Sequence, residues 1–234
     1  MTLPEDIASR LDHVRSRIAR AAATARRSHS DIRLVAVSKT FCLELIRAAA
    51  AAGQEDFGEN RVQEALQKMA GSADLSIRWH LIGPLQSNKA RKAAEHFAWI
   101  HSIDSVNLLQ RLDAAASAAG TAPKLFVQVD LAGEPTKHGA PPSAVPGILQ
   151  AAQGCRAAQV IGLMVLPPWL EDPEAARTYF QQLRLLRDRL RDSGAPGEML
   201  RELSMGMSHD FEVAIQEGAT VVRIGTAIFG ERTV

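Results

Sequence analysis

The chain has 234 residues, of which 46 % are hydrophobic and 23 % charged, so it is long enough for a substantial core and has no composition typical of disorder. Its 27 basic and 26 acidic side chains nearly cancel, which argues against a global field that would gather nucleic acid or an anionic membrane. Any anionic ligand must therefore be bound locally.

The first predicted element is an amphipathic helix at the N-terminus. Thr2 is expected near its N-terminal end. Arg15, Arg17 and Arg20 on the opposite face are interpreted as solvated charge, in preference to a basic contact strip. The segment lacks the apolar core of a signal peptide, and no later window is long and apolar enough to span a membrane, so neither secretion nor membrane insertion is expected. The buried face follows from apolar residues at steps of three or four: Leu3, Ile7, Leu11, Val14 and Ile18.

Eight short runs typical of strands follow, and each is separated from the next by a segment long enough for a helix. The runs are RLVAVS, EDFGE, RWHLIG, AWIHSI, KLFVQVDL, AAQVIGLMVL, RELSMG and TVVRIG. The helical segments are 42–52, 60–70, 87–97, 105–119, 143–153, 173–192 and 208–217.

This regular alternation predicts an α/β protein with a single (β/α)8 TIM-type barrel and an extra N-terminal helix, one domain over residues 1–234. A doubly wound open sheet uses the same local pattern and is the alternative. The Pro-rich segment 139–147 is interpreted as a surface loop of the barrel and not as a domain boundary. In the helix 173–192, the stripe expected to pack on the sheet is Tyr179, Leu183, Leu186 and Leu190.

Lys39 is the first candidate for chemistry, because it directly follows a four-residue apolar run that is expected to be buried on both faces. One interpretation is that the strand has ended and the lysine reaches water. The other is a desolvated amine of lowered pKa, the kind that forms Schiff bases with aldehydes. In a barrel, this position lies at the carboxyl ends of the strands, where active sites are found.

The loops after the seventh and eighth strands have the features of an anion site. Ser208 is placed at a helix N-cap, and Gly225 and Thr226 follow the eighth strand, where unpaired backbone N–H groups favour negative charge. The alternative is that these residues only make turns and caps. Arg223 lies inside the apolar run TVVRIG, so it needs either an anionic ligand or a buried carboxylate such as Glu59.

The remaining candidates are less specific. His80 and His101 are interpreted as satisfied core or rim histidines, and no metal site is expected. Asp130 and Glu134 could be acid or base groups, although nothing fixes them against Lys39.

Two further pairs of residues have ordinary interpretations. Glu64 and Lys68 are interpreted as an ordinary helix-surface pair. Cys42 and Cys155 lie far apart without a CxxC motif, which favours free thiols in a cytoplasmic protein.

Several segments together resemble the YggS/PROSC family of pyridoxal phosphate homeostasis proteins. They are AVSKT, FGENRVQEA, WHLIGPLQSNK, HSIDS, GLM and LSMGMSHDFEVAIQEGATVVRIGTAIFG, within residues 33 to 231. The resemblance implies a barrel similar to the N-terminal domain of alanine racemase, with pyridoxal 5′-phosphate (PLP) as the cofactor.

The same resemblance assigns roles to six residues. Lys39 carries PLP as a Schiff base, Arg223 faces the pyridine nitrogen, and Asn60 lies beside the ring. The phosphate is assigned to Ser208, Gly225 and Thr226. The sequence departs from the pattern associated with the family at Asp130, Ala132 and Arg61, where Asn, Ser and Tyr are expected.

The expected function is PLP homeostasis: the protein holds PLP and supplies it to apo-enzymes, without efficient catalysis of its own. An arginine at the pyridine nitrogen disfavours protonation there and so weakens the ring as an electron sink. Alanine racemase also takes a tyrosine from a C-terminal β-domain, whereas the only tyrosine here is Tyr179 and the eighth strand lies close to Val234.

The alternatives are a PLP-dependent amino-acid racemase of low activity and a class I aldolase-like barrel. No nucleic acid or membrane partner is expected, and the chain is expected to be a monomer. A second PLP site at Lys137 is conceivable, but a solvated loop lysine is the preferred interpretation of this residue.

Overall fold

The computed structural model describes residues 4–133 and 138–231. Thr2, Leu3, Glu134 and Lys137, which figured in the predictions, lie outside this range. The eight predicted strands are all present, and they pair in chain order to close a parallel barrel. The expected (β/α)8 barrel is therefore confirmed. The strands are β1 Arg33–Val37, β2 Asp56–Glu59, β3 Arg78–Leu81, β4 Trp99–Ile103, β5 Lys124–Gln128, β6 Gln159–Met164, β7 Glu202–Ser204 and β8 Val221–Ile224.

The helices follow the strands around the outside of the barrel. They are α1 Pro4–Thr24, α2 Leu43–Ala51, α3 Val62–Gly71, α4 Ala90–His96, α5 Val106–Ala119, α6 Val145–Ala152, α7 Arg177–Asp192, α8 Phe211–Gln216 and α9 Thr226–Phe229. Short 3-10 helices lie at His29–Asp31, Ser87–Lys89, Pro142–Ala144, Pro173–Ala176 and Gly197–Leu200.

Two apolar layers hold the barrel together. The larger one lies between the outer faces of the strands and the helices, as parallel sheets require. The smaller one lies in the barrel interior and consists of Val35, Trp99, Phe126, Ile161, Met164 and Val221. The interior is therefore packed with side chains, which leaves the ends of the barrel as the places for a ligand.

Helix α1 buries the predicted apolar face, including Ile7, Leu11, Val14 and Ile18. The interpretation of its arginines as solvated charge was wrong for two of them. Arg15 donates to the Ala52 carbonyl at 2.9 Å, and Arg17 binds Glu212 with two hydrogen bonds of 3.0 and 2.7 Å. These contacts attach α1 to the barrel, because Ala52 follows α2 and Glu212 lies in α8.

Three other local predictions need correction. In α7 the stripe on the sheet contains Phe180 in place of Tyr179, since Phe180 is fully buried. The segment 139–147 is a loop only in part, because α6 begins at Val145 with a proline in its first turn, where the missing N–H has no cost. The motif GTAIFG was expected to be a loop, but it contains the short helix α9.

Among the described residues, no helix has the length and apolar character needed to cross a membrane.

Candidate functional site

A pocket of about 510 Å³ opens at the carboxyl ends of the strands. This volume is within the usual range for a small-molecule site, roughly 300–1,000 Å³. All six residues predicted to bind the cofactor line it: Lys39, Asn60, Ser208, Arg223, Gly225 and Thr226. Its wall also contains Gly83, Gln128, His138 and Trp169, so the loops after β1, β2, β3, β5, β6, β7 and β8 all contribute.

Lys39 follows β1 by two residues and is half-buried in the pocket wall. The backbone on either side of it is held tightly. Ser38 is fully buried, its N–H donates to the Gly58 carbonyl at 3.0 Å, and its hydroxyl donates to Glu59 at 2.7 Å. Thr40 has a φ of 69°, which is unusual for a residue that is not glycine. Its N–H donates to Glu64 at 2.7 Å, which stabilises this conformation.

Lys68 stabilises the loop that carries Lys39. Its Nζ donates to the Ser38 carbonyl, to Glu59 Oε1 and to Glu64 Oε1, each at 2.8 Å. The lysine side chain is 11 % exposed, so the interpretation of Glu64 and Lys68 as an ordinary surface pair was wrong. Glu64 and Lys68 do pair along α3, as their spacing predicts. Lys68 also pairs with the buried Glu59 at the end of β2, so the three charges form an internal cluster.

Burial raises the pKa of Glu59, against the opposite effect of the hydrogen bonds from Lys68 and Ser38. Burial also acts to raise the pKa of Glu64, but the bonds from Lys68 and from the Thr40 amide outweigh it and leave that pKa below its ordinary value. Lys68 is therefore an internal cation between two carboxylates with opposite pKa shifts.

Asn60 directly follows β2 and is positioned by a close approach of the next loop. A Cβ placed on Gly83 would lie 2.8 Å from Asn60 Cα, closer than real Cβ atoms come to other heavy atoms. Gly83 thus permits the loops after β2 and β3 to pack backbone against backbone. Both residues line the pocket.

Ser208 joins the loops after β7 and β8. Its Oγ accepts the N–H of Gly225 at 3.1 Å and the N–H of Ala227 at 3.4 Å. The placement of Ser208 at a helix N-cap was wrong, because α8 begins at Phe211 and its N-cap is Asp210. Since the Ser208 oxygen accepts two amides, its hydroxyl hydrogen points away from them and can donate elsewhere.

Arg223 is 3 % exposed and lines the pocket. It donates to Ser204 Oγ at 2.5 Å and to the Val165 carbonyl at 2.9 Å. The buried carboxylate proposed as its partner, Glu59, binds Lys68 and Ser38 instead. Burial lowers the pKa of Arg223 to about 10, against the opposite effect of Asp210, so the side chain stays charged at neutral pH.

The interpretation of His80 and His101 as satisfied core histidines is confirmed, since both are fully buried and hydrogen-bonded. Sequence reasoning missed that they contact each other and Asp56, because the three residues lie on three different strands. A signal was available: a charged residue and two histidines occupy runs that are otherwise typical of buried strands. Burial lowers the pKa of both histidines, most strongly that of His101.

Asp130 makes a turn and does not line the pocket. Its Oδ1 accepts the N–H groups of Ala132 and Gly133 at 3.1 and 2.9 Å. Over residues 4–133 and 138–231, no group of three or more metal-ligating side chains is found.

At the pocket mouth, the Trp169 side chain is 76 % exposed and stacks on His209 with ring centroids 6.1 Å apart. Both residues line the pocket, so its entrance is partly aromatic.

Known proteins are similar to this chain over nearly its whole length. The family model of the alanine racemase N-terminal domain matches residues 9–233. A pyridoxal phosphate homeostasis protein of Pseudomonas aeruginosa is 44% identical over 226 residues, which cover 97% of this chain and 96% of that protein. One from Aquifex aeolicus is 43% identical over 223 residues, which cover 95% and 97%.

Among solved structures, PipY of Synechococcus elongatus without PLP superposes with a TM-score of 0.87 at 46% identity and covers 96% of this chain and 100% of that chain. Its structure with PLP bound superposes with a TM-score of 0.82 at 45% identity, covering 91% and 100%. The chain therefore belongs to the family of the alanine racemase N-terminal domain, and within it to the pyridoxal phosphate homeostasis proteins.

Proposed function

We propose that the protein binds PLP at Lys39 and supplies it to apo-enzymes, as part of intracellular PLP homeostasis. The observation that carries this proposal is the convergence of six residues from four separate loops and strands on one pocket: Lys39, Asn60, Ser208, Arg223, Gly225 and Thr226. The PLP-bound structure of PipY, a relative of 45% identity, gives it independent support.

The residues present fit this cofactor. PLP supplies an aldehyde, which condenses with a lysine amine with loss of one water and gives a C=N bond that water can cleave again. Lys39 offers the amine at the end of β1. Ser208 offers a hydroxyl and Thr226 a hydroxyl and a backbone amide to the phosphate. Gly225 lines the same wall and orients Ser208 through its own N–H, and Arg223 offers a cation to the pyridine nitrogen.

The same geometry favours storage over catalysis. Because Arg223 stays charged, a proton on the neighbouring pyridine nitrogen would add a second positive charge, which weakens the ring as an electron sink. The single tyrosine, Tyr179, lies on α7 and does not line the pocket, so it is not positioned to exchange a proton there. These two features support the proposal that the protein is not an efficient racemase.

The experiment is a timed transfer of PLP from the loaded protein to an apo-enzyme whose activity reports the gain. We expect transfer from the wild type and none above free PLP from Lys39→Ala, because that variant has no amine at this position. The competing racemase function predicts solvent deuterium at Cα of amino acids, at a rate that Lys39→Ala abolishes. Deuterium entry of that kind, without transfer of PLP, would contradict the proposal and support the racemase function.

Three further expectations accompany the proposal. The cytoplasm is the proposed location, which fits the free thiols of Cys42 and Cys155. A monomer and a single PLP-binding domain over residues 1–234 stay predictions. Light scattering of the purified chain tests the first, and limited proteolysis tests the second.

A further inference from the structure

A continuous path of hydrogen bonds crosses the barrel interior from the pocket to the opposite end. Arg223 donates to Ser204 Oγ, and this oxygen lies 2.8 Å from His101 Nδ1. His101 Nε2 lies 3.0 Å from His80 Nδ1, and His80 Nε2 lies 2.9 Å from Asp56 Oδ1. The five side chains come from five strands, β8, β7, β4, β3 and β2. All five residues are buried, so water competes little for these bonds.

While both imidazoles are neutral, as their lowered pKa values favour, only one direction of donation satisfies every group on this path. A guanidinium has no acceptor, so Ser204 must accept from Arg223. The buried Ser204 hydroxyl then gives its hydrogen to His101 Nδ1, and His101 donates from Nε2 to His80 Nδ1. His80 donates from Nε2 to the Asp56 carboxylate. The opposite direction would aim the His101 N–H at Ser204 and leave the hydroxyl hydrogen without its acceptor on the path.

The far end of the path is held as a carboxylate. Arg33 Nη1 donates to Asp56 Oδ2 at 2.9 Å, and Arg78 donates to both carboxylate oxygens at 2.8 and 2.9 Å. Burial acts to raise the pKa of Asp56, but the hydrogen bonds from His80 and Arg78 outweigh it and hold this pKa well below its ordinary value. Asp56 therefore remains the final acceptor across the physiological pH range.

The two imidazole rings are also fixed in orientation. His80 stacks on Trp99 with ring centroids 5.1 Å apart, and His101 stacks on Phe126 at 4.4 Å. A ring flip of either histidine would exchange carbon for nitrogen at two hydrogen bonds. Because neither ring can flip, the tautomer that Asp56 imposes on His80 also fixes the tautomer of His101, and with it the hydrogen bond between His101 and Ser204.

The consequence lies at the pocket. Within the described residues, the Arg223 guanidinium donates to neutral acceptors, Ser204 and the Val165 carbonyl. These acceptors fix the plane of the guanidinium without cancelling its charge by an ion pair, unlike a directly bound carboxylate. The anionic group of the path, Asp56, is kept two histidines and one serine away.

We propose that His80, His101 and Asp56 form a positioning relay that fixes the Ser204 hydroxyl as an acceptor and so holds the Arg223 guanidinium, with its charge intact, toward the cofactor ring. The relay rests on the proposed function for its role, but its geometry exists in the protein without PLP. The alternative is that these buried polar residues only stabilise the barrel. Variants that remove one hydroxyl and leave the core volume nearly unchanged distinguish the positioning role from a purely stabilising role.

The test compares Ser204→Ala with Ser102→Ala. Both remove one buried serine hydroxyl, and Ser102 lies next to His101 on β4, yet within the described part of the chain Ser102 Oγ has no hydrogen-bond partner. In ¹⁵N NMR spectra of the PLP-free wild type, we expect both buried histidines to be neutral with hydrogen on Nε2, and the Arg223 guanidinium N–H signals to be resolved. Ser204→Ala should average the Arg223 signals, whereas Ser102→Ala should leave them unchanged.

PLP titration gives the second readout. Loss of one hydrogen bond that orients Arg223 should raise the dissociation constant of PLP about ten-fold in Ser204→Ala, against less than about two-fold in Ser102→Ala. Ser204→Thr keeps the hydroxyl and adds a methyl group, so it should restore the Arg223 signals even if it is less stable. If Ser204 contributes only to stability, the added methyl group should make PLP binding and the Arg223 signals worse in Ser204→Thr than in Ser204→Ala.

The two proposals fail in different ways. An Nδ1–H tautomer of His101, or Ser204→Ala spectra that match those of Ser102→Ala, would overturn the relay whether or not PLP binds. If the wild-type protein takes up no PLP, the proposed function fails and the role of the relay at the cofactor fails with it, whereas the tautomers still report whether the path exists.

Discussion

At the scale of single residues, the pocket depends on the contact between Gly83 and Asn60. The two loops approach so closely that any side chain on Gly83 must displace the Asn60 backbone. The sequence motif contains Gly83, but only the structure identifies its neighbour, because the contact joins loops that follow different strands. The position of Asn60 in the pocket therefore rests on the absence of one Cβ.

Gly83→Ala is expected to weaken PLP binding about ten-fold or more and to cost about 1–3 kcal/mol in the free energy of unfolding, as overpacking does. The measurements are a PLP titration and urea unfolding.

Gly147→Ala is the matched control, because a Cβ at this position in α6 meets no atom within 4 Å. That change should leave PLP binding alone and add about 0.5–1 kcal/mol of stability, as for other glycines inside helices. Equal PLP affinity in the two variants would show that the approach of Gly83 to Asn60 does not matter for the site.

At the scale of elements, α3 supports the loop that carries Lys39. Lys68 binds the carbonyl of Ser38, and Glu64 binds the amide of Thr40, so one helix holds the backbone on both sides of the lysine. The sequence predicted α3 and the pairing of Glu64 with Lys68. It could not predict that Glu59 joins them, because the registration of α3 on β2 is a tertiary property.

Lys68→Met should destabilise the protein by about 3–5 kcal/mol, because it leaves the buried Glu59 without its cation. Urea unfolding measures this loss, and the double variant with Glu59→Gln should recover much of it, because the buried charge is then also removed.

Lys92→Met is the control, since Lys92 is an exposed lysine on the neighbouring helix α4 and its replacement should change stability by no more than about 0.5 kcal/mol. A loss below about 1 kcal/mol for Lys68→Met would contradict the internal role given to this cation.

At the scale of the whole molecule, the order of strands and helices could be predicted from the sequence, whereas the side-chain contacts inside the barrel could not. Alternation of strand-like and helical segments predicts parallel strands joined by helices and favours a barrel over an open sheet, and the structure shows the closed barrel of eight strands. The path from Arg223 to Asp56 joins five strands, and its central link, between Ser204 and His101, spans 103 residues of sequence, so its connections could not be predicted from local patterns. The six pocket residues could be identified from the family resemblance and from their positions after strands. Only the structure shows that they line one pocket, because they come from separate parts of the chain.

The buried histidines give the molecule a characteristic pH dependence. The pKa values of His80 and His101 are lower in the folded protein than in the unfolded chain, where about 6.5 is ordinary. The unfolded state therefore binds more protons below pH ~6.5, and the stability contributed by each histidine is present above that pH and lost as the pH falls toward its folded value. The low pKa of Asp56 adds a further loss only below about pH 4, by the same sign rule.

Between pH 7.5 and 5.5 the free energy of unfolding should fall by about 1–3 kcal/mol, as urea denaturation at several pH values will show. His101→Gln should be less stable at pH 7.5 but should fall less over the same interval. The exposed His96 serves as the comparison, and His96→Gln should change the free energy of unfolding at pH 7.5 by no more than about 0.5 kcal/mol. A wild-type stability that is flat or rises toward pH 5.5 would contradict the neutral, buried state of the pair.

The central claim is that Lys39 holds PLP, and it is tested most directly by locating the adduct. The protein is incubated with PLP, reduced with borohydride, digested and analysed by mass spectrometry, with Lys39→Ala treated in parallel. We predict one dominant phosphopyridoxyl group on Lys39 in the wild type and its loss in the variant. Modification spread over surface lysines, with none on Lys39, would contradict the account.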